Sequence, residues 1–86
     1  MEQRAVGVVA VIVKKRTSGA PEVNQVLTQY GDIILGRMGL PYAARDLNII
    51  TLIVDATTDE VGALTGKLGT LEGVSVKSAL SKNSGK

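Results

Sequence analysis

Two strand-length runs, Arg4 to Val13 and Asn48 to Asp55, carry valine, isoleucine or leucine at both odd and even positions. Successive side chains of a strand point to opposite faces, so a run that is apolar on both parities belongs at the centre of a sheet with both faces covered. A chain of 86 residues folds as one domain, with no material for a second core. Its ordered part is expected over residues 4–81, with 82–86 as a tail. Two central strands and few other elements leave a small choice of architectures.

The segments between them supply the rest. Thr17, Ser18 and Gly19 break the first run, and Pro21 suits the first turn of a helix, where its missing N–H loses nothing. Val23, Val26, Leu27 and Tyr30 then recur at i, i+3, i+4 and i+7, an apolar stripe opposed by Asn24, Gln25, Thr28 and Gln29. Gly31 is expected to end that helix. Asp32 to Met38 reads as a second strand, and Gly36, Gly39 and Pro41 open a loop lasting to about Asp46. Thr57 with Glu60 three residues on is a capping box that starts a second helix with a Val61, Leu64, Leu68 stripe. Val74 to Leu80 alternates as a last strand.

The order is therefore βαββαβ. Right-handed crossovers place the first and third strands side by side in a split βαβ arrangement, with both helices on one face. The expected fold class is α+β, a ferredoxin-like sandwich with a four-stranded antiparallel sheet. No element remains to cover the other face, although Ile49, Thr51 and Ile53 point to it. Three such side chains forfeit roughly 5 to 9 kcal/mol if left wet, against a typical domain stability of about 5 to 15 kcal/mol. Self-association, sheet to sheet or edge to edge, is the expected remedy and a modest exposed patch the plainer reading; Ile49, Thr51 and Ile53 are the expected interface of a homo-oligomer, a dimer or tetramer.

Composition narrows the chemistry. There is no cysteine and no histidine, which removes thiolate zinc sites, disulfides and catalytic imidazole, and leaves only oxygen ligands for hard cations. No metal and no other cofactor is expected. No nucleophile is spaced with a base to activate it, so an enzyme is not expected either. Ala5 to Val13, an uncharged run as long as any in the chain, is too short to span a bilayer. With no signal-peptide pattern, the expected location is cytoplasmic. The net charge of +2 is modest. Lys14, Lys15 and Arg16 cluster, but two tyrosines and no other aromatics offer little for bases to stack on, so nucleic acid is not an expected partner.

Candidate binding residues come from two places. Arg37 and Arg45 flank a glycine-bearing segment with Tyr42 between them, and guanidinium groups there suit a carboxylate or phosphate, or a subunit contact. Asp55 and Thr57 stand at the mouth of the second helix, where capping is the plainer reading and a cation or amine site the other. These five are the candidate effector residues. Gly62, Gly66 and Gly69, at i, i+4 and i+7, imply close packing by the first helix or another subunit, since each costs up to about 1 kcal/mol relative to alanine.

Two long stretches carry a resemblance: Tyr30-Gly-Asp-Ile-Ile-Leu-Gly-Arg-Met-Gly-Leu-Pro-Tyr42, and Asp55-Ala-Thr-Thr-Asp-Glu-Val-Gly-Ala-Leu-Thr-Gly-Lys-Leu-Gly69 followed by Gly73-Val-Ser-Val-Lys77. Through them, and over nearly all of Arg4 to Leu80, the chain resembles the regulators of the iron-only hydrogenase system, which are small ACT-like domains. The resemblance implies an ACT-like ferredoxin fold, oligomerisation, and likeness to the ligand-binding domain of the nickel-responsive repressor, whose metal is held by histidine and cysteine. This chain has neither residue; what the resemblance implies is effector binding at a subunit interface, and the expected partners are a small-molecule effector and a protein that receives the signal. The alternatives are a structural or adaptor oligomer, or a DNA-associated regulator without its own DNA-binding domain.

Overall fold

The structure is a computed structural model and describes residues 4–81; the expected tail, 82–86, lies outside the described residues. The elements run β1 (Arg4–Lys14), α1 (Ala20–Gln29), β2 (Ile34–Tyr42), β3 (Leu47–Thr57), α2 (Thr58–Gly69) and β4 (Val74–Leu80), with single 3-10 turns at Gly31–Ile33 and Ala43–Arg45. The sheet order is β2-β3-β1-β4 and all three pairings are antiparallel. This is the ferredoxin-like βαββαβ sandwich, with the two apolar strands at the centre.

Burial alternates along β1 without a break: Ala5, Gly7, Val9, Val11 and Val13 are buried, and the even positions between them are exposed. On β3 the buried set is Ile50, Leu52, Val54 and Ala56. Val9, Val11 and Val13 of β1 and this β3 set meet Val23, Val26 and Leu27 of α1 and Val61, Leu64 and Leu68 of α2 in one core. The helical stripes read from the sequence are thus the faces that pack on the sheet. Among the described residues no buried side-chain polar atom lacks a hydrogen bond. No helix there is long and apolar enough to cross a membrane.

Three local expectations need correction. The second strand continues past Met38 through Pro41 to Tyr42, because β2 is an edge strand and a proline there removes no ladder hydrogen bond that the sheet needs. A register shift between Ile34 and Gly36 marks a bulge at Leu35. Gly31 does not terminate α1 through a left-handed cap; the helix stops at Gln29 and Gly31 opens a 3-10 turn. Gly62 and Gly66 meet nothing within 4 Å where a side chain would stand, so α1 does not pack closely on that stripe, which faces away from the core.

The start of α2 is built as its residues predict. The Glu60 N–H donates to Thr57 Oγ1 at 3.1 Å and the Thr57 N–H donates to Glu60 Oε1 at 2.9 Å, a complete capping box. Replacing Thr57 with alanine is expected to lower stability by about 1 kcal/mol, read as a fall in the urea midpoint with an unchanged slope. The backbone hydrogen bond from Thr57, then the nearby Arg4 charge, hold the Glu60 carboxyl below its ordinary value of 4.5. A carboxylate with a depressed folded value contributes stability that is fully present above the unfolded value and fades as pH falls through the folded one. The difference in thermal midpoint between the wild type and Glu60→Gln is therefore expected to narrow as pH falls below the ordinary value of 4.5.

Candidate functional site

Pairing registers decide which residues share the sheet face that carries no helix. Val8 stands beside Ile53, Ala10 beside Thr51 and Ile12 beside Ile49. On the outer strands Met38 pairs with Thr51 and Leu40 with Ile49, while Ala79, Lys77 and Ser75 flank Val8, Ala10 and Ile12. The face is apolar from β1 to β2, and its large side chains are wet: Val8 is 43% exposed, Ile53 46%, Leu40 60% and Met38 70%. Val6 and Ile12 are about as open as Val8. Finishing the burial of Val6, Val8, Ile12 and Ile53 alone would contribute about 3 to 6 kcal/mol, taking half of the 1.5 to 3 each such side chain is worth.

Ile49, Thr51 and Ile53, the expected interface residues, all lie on this open face. Sequence reasoning missed the β1 and β2 members of the same surface. Their signal was present in the even parity of Val6, Val8 and Ile12, and in the alternation of Met38, Leu40 and Tyr42 with Arg37, Gly39 and Pro41. The glycines and the proline disguised that alternation as a loop.

The five candidate effector residues separate into distinct places. Tyr42 ends β2 beside Leu47, and Arg45 follows in the exposed 3-10 turn. Asp55 and Thr57 sit at the opposite end of β3. Eight residues of strand between Leu47 and Asp55 span about 26 Å, so no small molecule reaches both groups within one chain. Arg37 lies on the helix side, where its Nη2 donates to Asn24 Oδ1 at 2.9 Å.

Asp55 and Glu60 share a cation that sequence reasoning did not assign. Arg4 Nε is 3.4 Å from Asp55 Oδ1, and its Nη1 is 3.3 Å from Glu60 Oε1. Arg4 also donates to the Asp55 carbonyl, so one side chain ties the start of β1 to the end of β3 and the start of α2. Only the register that sets Arg4 opposite Thr57 makes this possible. At the other end Arg16 Nε is 3.2 Å from Asp46 Oδ2.

Charge is therefore polarised along the strands. Lys14, Lys15, Arg16 and Arg45 gather where β1 and β2 end, partly offset by Asp46, Glu22 and Glu72. Asp32, Asp55, Asp59 and Glu60 gather where β1 begins, with Arg4 among them. Among the described residues no ligand-sized cavity opens, and no three acidic side chains are grouped to hold a metal ion. A single chain offers a flat apolar face with a basic end and an acidic end.

Comparison with known proteins places this architecture. The model of the TM1266-like family, described as "Iron-only hydrogenase system regulator, putative", matches residues 5–78. The structure of uncharacterized protein TM1266 from Thermotoga maritima is 33% identical and superposes with a TM-score of 0.88, covering 92% of this chain and 99% of that one. The ACT domain from GTP pyrophosphokinase of Chlorobium tepidum, at 15% identity, has a TM-score of 0.72 over 88% of this chain and 99% of its own. The C-terminal domain of the MgtC protein from Mycobacterium tuberculosis, at 17% identity, also scores 0.72, covering 100% and 96%. The last two establish the ACT-like fold alone. No curated protein matches the chain.

Proposed function

We propose, from the premise that the chain belongs to the TM1266-like family, that it is a self-associating regulatory module which binds a small anionic effector between copies and relays binding to a partner protein. The observation that carries this reading is the open apolar sheet face, with no ligand-sized cavity among the described residues. A small ligand needs concave, largely enclosed surface, and a second copy laid against this chain is the simplest way to create it. The family description supports a regulatory role, and the reading assigns no catalytic step to any residue.

Tyr42 and Arg45 are the effector contacts in this proposal. Arg45 has no ion pair among those seen in the described residues, and a guanidinium can take a carboxylate or phosphate through two parallel hydrogen bonds. Arg37 is already engaged by Asn24 and Thr57 by its capping partner; Asp55 faces Arg4. Binding that stabilises the folded state raises the melting temperature in proportion to RT ln(1 + [L]/Kd), about 2.7 kcal/mol at a hundredfold excess over Kd.

A thermal-shift screen with free amino acids, nucleotides and inorganic phosphate tests this. At least one anion is expected to raise the midpoint by several degrees in the wild type and by little in Arg45→Ala. No response to any of them would overturn effector binding and leave a structural oligomer.

A further inference from the structure

We propose that the open face of the sheet is covered by the same face of a second copy, turned end for end about a two-fold axis that crosses the strands near Ala10 and Thr51. This rests on the self-associating module proposed above and says which surface meets which. The surface has the size for it. Four strands spaced about 4.8 Å apart, over the residues from Val6 to Lys14, make a flat footprint of about 500 Å² before side-chain relief is counted. Stable complexes bury about 600 to 1,000 Å² of accessible surface per partner.

The alternative, pairing at the sheet edges, is resisted by both edge strands. β2 carries the Leu35 bulge and Pro41, and β4 is short and carries Lys77. Bulges, prolines, lysines and short length are the devices that keep edges from pairing. The face has no such protection. Of its central positions only Lys77, on the β4 side, is charged.

Orientation follows from charge. Lys14 and Asp55 stand on this face at opposite ends, each about four residues of strand from the Ala10–Thr51 row; Asp55 is paired with Arg4, and the neighbouring Asp32, Asp59 and Glu60 keep that end acidic. Two copies stacked in the same direction set basic end on basic end and acidic end on acidic end. The end-for-end two-fold sets each basic end against an acidic one, and an isologous contact then makes the favourable pairing twice. It also carries Tyr42 and Arg45 of one copy to the end that holds the partner's Asp55. Candidate effector residues about 26 Å apart within a chain then border one interface.

The full 86-residue chain contains no cysteine, so single introduced thiols report the geometry directly. Four proteins are compared by sedimentation and by reaction with a bismaleimide whose span matches the spacing of stacked sheets, about 10 Å: wild type, Ile53→Lys, Thr51→Cys and Val6→Cys, each checked for an unchanged circular dichroism spectrum. The wild type is expected to associate, and Ile53→Lys to weaken association by about 100-fold or more. Thr51→Cys, near the axis, is expected to cross-link between copies. Val6→Cys is not, since its two sites fall about 26 Å apart. Association unchanged by Ile53→Lys overturns this face while leaving the oligomeric reading intact. Efficient linking through Val6→Cys overturns the end-for-end orientation, and a monomeric wild type overturns both proposals.

Discussion

Replacing Leu64 with alanine is expected to lower the unfolding free energy by about 2 to 5 kcal/mol, the range for truncating a buried leucine. Leu64 is fully buried at the centre of α2, between Val61 and Leu68 on the same stripe, and shares a core with Leu52, Val54 and Ala56 of β3. Part of the loss is the transfer term for the removed methyl groups. The rest comes from the cavity, because a helix pinned at its start by a capping box cannot settle freely toward the sheet. In a domain whose stability is typically about 5 to 15 kcal/mol, the urea midpoint should fall by about a third at the middle of both ranges. An exposed position on the same helix, Ala63→Ser, serves as control and should shift it little. Equal shifts in the two variants would mean that α2 does not pack as described.

The second large effect is expected at Gly73, where β4 is about to begin. Its φ of +77° lies in the region that favours glycine, and a Cβ there would stand 2.2 Å from Thr17 Oγ1 and 2.6 Å from Thr17 Cβ. Thr17 cannot easily retreat, since its hydroxyl donates to the Lys14 carbonyl at 2.7 Å. The Lys14 N–H donates to the Gly73 carbonyl at 2.9 Å, so the two turns are bound to each other. Backbone strain of about 1 to 3 kcal/mol and the disturbed hydrogen bond, about 1 kcal/mol, give an expected loss of about 2 to 4 kcal/mol for Gly73→Ala. In a Thr17→Gly background the same substitution should cost only the backbone part. A double-mutant cycle in urea measures the difference; a coupling energy of zero would remove Thr17 from the explanation.

Much of this was legible in the chain itself. The helical stripes, the capping box of Thr57 and Glu60, and the two doubly apolar strands determined the βαββαβ order and which strands are central. The parity of Ile49, Thr51 and Ile53 also showed that one sheet face has no helix to cover it. These signals are local, because each follows from a repeat of 2 or 3.6 residues or from a contact three residues away.

What distance along the chain concealed is different in kind. Pro41 looked like the middle of a loop until the sheet order made β2 an edge, where a missing N–H costs nothing. The glycines of α2 looked like a stripe for the first helix or another subunit, and the helix's rotation removed the first of these by turning Gly62 and Gly66 away from the core. Arg37 and Arg45 looked like two arms of one site, yet strand register sent the first to Asn24 and left the second at the far end from Asp55.

The sequence by itself determined the elements, their order and the apolar parity of the strands, since short-range sterics and periodicity act within a few residues. Only the tertiary structure decided the register that joins Arg4 to Asp55 and Glu60, the separation of basic and acidic ends, and the extent of the bare face. Those depend on which residues stand side by side across strands, and that is set by the packing of the whole sheet against both helices.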